Sequence, residues 1–496
     1  MNNKHPQEPG KAATGILGLD DVLSGGLTRG GIFLLEGEPG CGKTTVALEF
    51  LLNGAAAGET CLYITLSETA QELKAGAKSH GWDIPDNIVI RELIPAESLA
   101  KDESQSLLFA SDLELSEASA QIYSAVDQVH PSRLVIDSLS EIRLLAQSSL
   151  RYRRELLAIK HHFAGLKTTV LLLDDLTSEV TDKTVHSIAH GVIQLQQRYP
   201  DFGAERRRLR VLKYRGQKYR GGFHDFTIKT GGINVFPRLV AAEHRTRLPR
   251  STLATGIAPF DALLGGGIDS GSSTLIIGPS GTGKSLIAIT FAIAAIQRGE
   301  QAALFIFDEE LGLLFDRMKK LRIDLQELKA SGKLRIEQID AAELSPGEFS
   351  HRVRRTVDEE HIRTVVIDSL NGYQAAMTDE KSVVLHIHEL LQYLNRQGTA
   401  TFLTMAQHGL VGTMTTPTDV TYIADNVILL RYFEALGRVR RAISCIKKRT
   451  GSHEETIREF HVSNKGLTVD EPLTQFQGVL QGVPEVLGPV RQTALE

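Results

Sequence analysis

Cysteine is scarce. Three residues in 496 (Cys41, Cys61 and Cys445) lie far apart and form no CxxC pair. That excludes a disulfide framework and a cysteine-built zinc site, and it fits a reducing compartment. Positive charge is not in excess either: 55 Lys and Arg face 60 Asp and Glu, a net charge of −5. The chain as a whole is therefore no polycation drawn to nucleic acid or anionic lipid. Long apolar runs are also missing. "LIAITFAIAAI" (286–296), among the longest, falls well short of the ~20 residues that span a bilayer. The opening "MNNKHPQEPGKAATG" lacks the apolar core of a secretory leader. A cytoplasmic protein with no membrane attachment is expected. Its 42% hydrophobic residues are ample for large cores.

What the chain does have, it has twice. "GEPGCGKT" at 37–44 returns as "GPSGTGKS" at 278–285, and the same offset separates "TGILGLDDVLSGGL" (14–27) from "TGIAPFDALLGGGI" (255–268). Each glycine-rich loop is followed by an Ala/Leu-rich helical stretch and then a short apolar run, "TCLYIT" or "AALFIF". Further on come "RLVIDS" and "TVVIDS", a basic "LKYRG" or "IKKRT", and a Gly-rich close. Such self-similarity marks a tandem duplication. The reading is an N-terminal extension (1–12), a first domain (13–240), a linker (241–251), a second domain (252–470) and a tail (471–496). Short apolar strands alternating with amphipathic helices predict an α/β fold, each domain a mainly parallel sheet with helices on both faces. The runs before Asp137 and Asp368 are apolar at consecutive positions, as a strand covered on both sides requires.

The pattern GxxxxGK[ST] cradles phosphate, because its glycines let backbone N–H groups converge at a helix N-terminus. The predicted ATP contacts are Gly37, Glu38, Pro39, Gly40, Cys41, Gly42, Lys43, Thr44 and Thr45 in the first copy. In the second they are Gly278, Pro279, Ser280, Gly281, Thr282, Gly283, Lys284, Ser285 and Leu286. Lys43 and Lys284 would neutralise the β/γ phosphates, and Thr44 and Ser285 would hold Mg²⁺ with the strand-end aspartates Asp137 and Asp368. Carboxylates beyond the next strand, Glu68 in "ITLSET" and Glu309 and Glu310 in "IFDEEL", can orient or deprotonate the group that attacks the γ-phosphate. Lys213 with Arg215, and Lys447 with Arg449, are cations at i, i+2. On a strand they share a side and can act together on one anion, as a trans-acting arginine finger does.

Two P-loop halves with "ITLSET" and "FDEEL" strand ends, "IDS" ends and K-x-R segments resemble the double-domain KaiC proteins, circadian-clock ATPases and autokinases of the RecA-like superfamily. The resemblance covers about residues 13–470. It implies tandem RecA-like P-loop NTPase domains, a homo-hexameric ring with ATP and Mg²⁺ at subunit interfaces of both tiers, and serine/threonine autokinase activity in the second half. It places the family's paired glutamates at Ser67-Glu68 and Glu309-Glu310, so the first half carries serine where the leading glutamate is expected. It also puts a further nucleotide contact at His453, with Tyr219 in its place in the first half. Aligned on "ADNVILL" (424–430), the family's phosphoacceptors fall at Thr421 and Tyr422, and Thr421 retains the hydroxyl of the right kind. Regulatory proteins would bind the tail.

Two other readings stay open: a DNA-dependent recombination or repair ATPase, and a signalling scaffold assembled by ATP with slow turnover. The first draws on eight Lys and Arg within 206–220. Against it stand the acidic balance and the lack of an appended DNA-binding module. "HIHEL" (386–390) offers histidines at i, i+2, which on a helix face different ways and make no metal pair.

Overall fold

The computed structural model describes residues 10–93, 110–176, 184–200, 203–244, 250–375, 380–407, 409, 421–463, 466–481 and 484–486. The chain divides into two compact units, Met1–Arg238 and Leu239–Glu496. The described start of the expected linker, Ala241–Glu243, is a short 3-10 turn in the second unit. Its Ala241 N–H donates to Glu389 at 3.0 Å.

Each unit is built on a 9-stranded sheet. In the first, the order across the sheet is Gly232–Phe236, His224–Lys229, Arg206–Tyr214, Gly191–Arg198, Ile32–Gly37, Thr169–Asp175, Arg133–Asp137, Cys61–Thr65 and Ile88–Glu92. From Gly191–Arg198 to Ile88–Glu92 the pairing is parallel, and the remaining strands join antiparallel. The second unit repeats this order, with Ser273–Gly278 in the place of Ile32–Gly37.

The central strands are apolar at consecutive positions through their middles because both faces are covered. Phe33, Leu35, Tyr63 and Val135 pack with the helix Lys43–Ala56. Their neighbours Ile32, Leu34, Leu62, Ile64, Leu134 and Ile136 pack with helices Leu139–Ala146 and Ser149–Ala164. In the second unit Ile276, Leu304 and Val366 share a layer with Lys284–Gln297, while Leu275, Ile277, Phe305 and Ile367 face the other.

The letters shared by the two copies have local reasons. The Asp20 carboxylate accepts from Thr14 N and Oγ1, both at 2.8 Å, and from Gly15 N at 3.2 Å. Asp261 does the same for Thr255 N, Thr255 Oγ1 and Gly256 N at 2.8, 2.7 and 3.0 Å. The motif TG followed by Asp thus closes the entry to each unit with charge-assisted hydrogen bonds.

A second shared device is a β-bulge. In the first unit Val192 pairs with Lys213 and Ile193 with Val211, leaving Leu212 extra. In the second, Val427 pairs with Lys447 and Ile428 with Cys445, leaving Ile446 extra. Leu209 and Val211 pack in the layer of the helix Lys43–Ala56, and after the bulge Tyr214 returns to it. There the Tyr214 hydroxyl donates to the Gly26 carbonyl at 2.8 Å.

Candidate functional site

Each P-loop leaves the carboxyl end of a central strand and enters a helix. The residues just before the helices, Gly42 and Gly283, sit at φ 104° and 109°, a left-handed backbone that glycine adopts without a Cβ penalty. Neither first turn carries an acidic side chain. Its free N–H groups and positive dipole end stay open to an anion.

The two lysines are buried among oxygens. Lys43 Nζ lies 2.9 Å from the Gly37 carbonyl, 3.0 Å from that of Glu38 and 2.6 Å from Asp175 Oδ1. Lys284 Nζ donates to the Pro279 carbonyl at 2.8 Å. Burial lowers the Lys284 pKa, opposed by Asp368 and Asp308 nearby.

Parallel register brings the strand-end aspartates to the loops. The Tyr63 hydroxyl donates to Asp137 Oδ2 at 2.5 Å. Burial pushes the Asp137 carboxyl up, against hydrogen bonds from Tyr63 and Thr44 and the charge of Lys43. Thr44 and Asp137 therefore face each other, two oxygen donors suited to a hard cation. In the second unit Asp368 accepts from the Thr404 hydroxyl, and Ser285 follows Lys284 in the first helical turn.

The carboxylates beyond the next strand can be matched between the two units by strand register. Leu66 N donates to the Asp137 carbonyl and Phe307 N to that of Asp368, both at 2.7 Å. Leu66 thus corresponds to Phe307, Ser67 to Asp308, and Glu68 to Glu309. The positions equivalent to Ser67-Glu68 are thus Asp308-Glu309, one residue before the pair expected at Glu309-Glu310. Glu310 caps the helix Leu311–Lys320, accepting from Gly312 N and Leu313 N at 2.8 and 2.9 Å. Those N–H groups hold its carboxyl below the usual range. Thr69 fills the same capping place in the first unit. Asp308, missed in the sequence, accepts from the Ser369 hydroxyl and lies near enough to act on Lys284. The strand ends supply the signal: each residue in question stands two places beyond its strand, Cys61–Thr65 or Ala302–Ile306. Burial raises the Glu68 pKa, aided by Asp137 and Glu72. Glu309 is paired with Arg317 at 2.6 Å.

The basic pairs occupy equivalent places. Lys213 Nζ donates to the His186 carbonyl and Arg215 to that of Ser187. Lys447 Nζ donates to the carbonyls of Thr421 and Ala424 at 3.0 and 2.7 Å, and Arg449 to that of Tyr422 at 2.7 Å. Thr421 and Tyr422 therefore correspond to His186 and Ser187. Lys213 is held below its ordinary pKa by burial and by Arg215 and Lys160, so positive charge gathers there. Tyr219 and His453 also correspond: Arg220 N donates to Val22 O at 2.8 Å and Glu454 N to Leu263 O at 3.1 Å. Within the basic run 206–220, Arg208 and Arg210 bond Gln196 and Gln194 at 2.8 to 3.0 Å. Both stack over Phe223, at 3.6 and 4.9 Å. Much of that run is thus engaged within its own unit.

A buried acidic group was also missed. Glu36 lies 2.7 Å from His186 Nε2 and accepts from Gln194 at 3.0 Å. Asp174 is pushed up to about 6 by burial, opposed by its partner Arg143. Beside them stands Asp175, the partner of Lys43. The doubled Asp ending "TVLLLDD" was the available signal.

Two glycine-rich loops at the carboxyl ends of parallel strands, each with its buried lysine and strand-end aspartate, define a tandem P-loop nucleotide-binding ATPase. A family model described as "ATPase: KaiC" matches residues 12–240 and again 253–474. The circadian clock oscillator protein KaiC of Thermostichus vulcanus is 28% identical over 503 residues, 98% of this chain and 94% of its own. Those of Synechococcus elongatus and Acaryochloris marina are 28% and 26% identical, each over 97% of this chain and 93% of their own length. The chain belongs to the KaiC ATPase family.

Proposed function

We propose that the protein is a ring-forming ATPase with six subunits, that ATP lies between subunits in both tiers, and that the second unit also phosphorylates its own Thr421. One observation carries the reading. The full set of P-loop lysine, helix-first hydroxyl, strand-end aspartate, following carboxylate and bulge-aimed basic pair recurs at equivalent places in both units. Lys213, Arg215, Lys447, Arg449 and His453 would meet the nucleotide of a neighbouring subunit. The positive charge of Arg215 and Lys160 gathered beside Lys213 supports an anion partner there.

In both sites Lys43 or Lys284 holds the β/γ phosphates while the loop N–H groups fix their orientation. Thr44 and Asp137, or Ser285 and Asp368, would hold a magnesium ion, which would supply neutralisation of phosphate charge. Water attacks the γ-phosphorus as the bond to the β–γ bridging oxygen breaks, and Glu68 or Glu309 accepts the proton. In autophosphorylation the Thr421 hydroxyl replaces water, with Glu309 as base and Asp308 beside it. The proposed setting is the cytoplasm, in the signalling role that the relatives' clock designation names, with partner proteins at the C-terminal tail. The engagement of Arg208 and Arg210 within their own sheet favours this reading over a DNA-dependent ATPase.

Light scattering with and without Mg-ATP, paired with intact-mass analysis, tests the proposal. Hexamers that dissociate on nucleotide removal and gain phosphate on incubation are expected. The same particle size in both states would refute interface binding, and DNA-stimulated turnover would favour the other class.

A further inference from the structure

The two P-loop lysines meet different surroundings: Lys43 is in contact with Asp175 at 2.6 Å, whereas Lys284 has Asp368 and Asp308 near it. Gly37 pairs in register with Asp175, at the end of the adjacent strand. The equivalent Gly278 pairs with Ala406. The geometry points to Asp175 as the residue that sets the nucleotide preference of the first site. It competes with phosphate for Lys43 and so weakens ATP binding there, more than ADP binding. The inference rests on the reading that both P-loops take nucleotide.

An ammonium group has three N–H donors and no more. Lys43 faces the carbonyls of Gly37 and Glu38 at 2.9 and 3.0 Å and Asp175 Oδ1 at 2.6 Å, so all three have acceptors. Phosphate must displace one of them. Asp175 has little freedom to retreat, because its backbone is in register with Gly37 of the P-loop strand and its other oxygen accepts from Ser140 at 3.2 Å. Arg143 is paired with Asp174 instead. If Lys43 turns to the phosphates, Asp175 keeps its charge beside them. If Lys43 bridges both, the carboxylate and phosphate oxygens on one nitrogen stand at most about 5–6 Å apart.

Like charges at that distance weaken binding by about a hundredfold at the effective dielectric of a protein site. The Asp175 side chain is 29% exposed, and solvent screening brings the expected effect to about tenfold. ATP carries more charge than ADP at the lysine end, so its penalty is the larger.

Fluorescent mant-ATP and mant-ADP are titrated against full-length protein at one fixed concentration, in EDTA and again with Mg²⁺. The first site is read in a Lys284→Ala background. Asp175→Asn should tighten mant-ATP about tenfold and mant-ADP by much less, with the gain shrinking as salt rises. The reciprocal Ala406→Asp, read in a Lys43→Ala background, should weaken mant-ATP at the second site by a similar factor. Unchanged or weaker ATP binding in Asp175→Asn, or an equal gain for both nucleotides, overturns the inference and leaves the ATPase reading standing. If the Lys284→Ala protein binds neither nucleotide, with or without the Asp175 change, the first P-loop is no nucleotide site and both fall.

Discussion

Removing a single oxygen tests how the first site is held together. Tyr63→Phe keeps the ring, which is fully buried in the layer of the helix Lys43–Ala56, and deletes the hydroxyl 2.5 Å from Asp137 Oδ2. A hydrogen bond to a charged group contributes about 1.5–3 kcal/mol. Asp137 is only 7% exposed, so water replaces the lost donor poorly and a destabilisation of about 2 kcal/mol is expected. For a unit the size of Met1–Arg238, each kcal/mol moves the melting midpoint by about 2–4 °C, giving about 4–8 °C. Scanning calorimetry resolves it if the two units melt separately. The transition of Leu239–Glu496, whose Asp368 is bonded by Thr404 instead, should not move. The pH trend gives an independent check. Tyr63 lowers the Asp137 pKa that burial raises, so its stabilisation belongs to the charged form and fades as pH falls toward protonation. A first transition unmoved at neutral pH, or a deficit that grows on acidification, would show that the Tyr63 hydroxyl does not hold the charged Asp137.

Three further outcomes follow from the same structure. Burial raises Glu49 to about 6 from 4.5, so its favourable contribution is present below 4.5 and lost as pH rises through about 6. Glu49→Gln, which still accepts from Ile233 N, should therefore stabilise by about 1 kcal/mol at pH 8, after allowance for partial exposure, and by nothing at pH 4 in thermal melts. Lys43→Ala should chiefly impair nucleotide-dependent assembly and Lys284→Ala chiefly second-unit chemistry, read by light scattering and phosphate release. Intact hexamers that have lost most turnover in Lys43→Ala would reverse these roles. Peptide mapping after Mg-ATP should find phosphate on Thr421 and none on Tyr422, with about a hundredfold or greater slowing in Glu309→Gln. Equal labelling in that variant would remove Glu309 as the base.

Periodicity and spacing carried the reading a long way. Apolar runs ending in a glycine-rich loop or an aspartate read directly as doubly covered parallel strands, while the order of strands across the sheet came only from the structure. Letters alone did not carry resolution to one residue. Three acids in a row, Asp308 to Glu310, look alike as letters. Only the bonds of Leu66 and Phe307 to their neighbouring strands show which acid faces the loop and which caps a helix. The Tyr63–Asp137 and Lys43–Asp175 contacts were invisible for the same reason. Each joins residues far apart in the chain, through a strand register that composition does not encode. The K-x-R pairs were legible as sharing a side, but which side depends on the bulge.

That bulge makes parity a functional quantity. Leu212 and Ile446 differ in side chain, yet each adds one to the count on its strand and thereby decides where the next residues point. With an even count, Lys213 would follow Val211 into the apolar layer, where a charge is expensive to bury, and Tyr214 would lose the Gly26 carbonyl. The odd count sends the lysine out to the segment holding His186, and in the second unit to the one holding Thr421. The two copies can thus drift in their letters while keeping their aim, provided that no single residue is gained or lost there. A one-residue deletion at this place should do more harm to the basic pair than any substitution of the residue deleted.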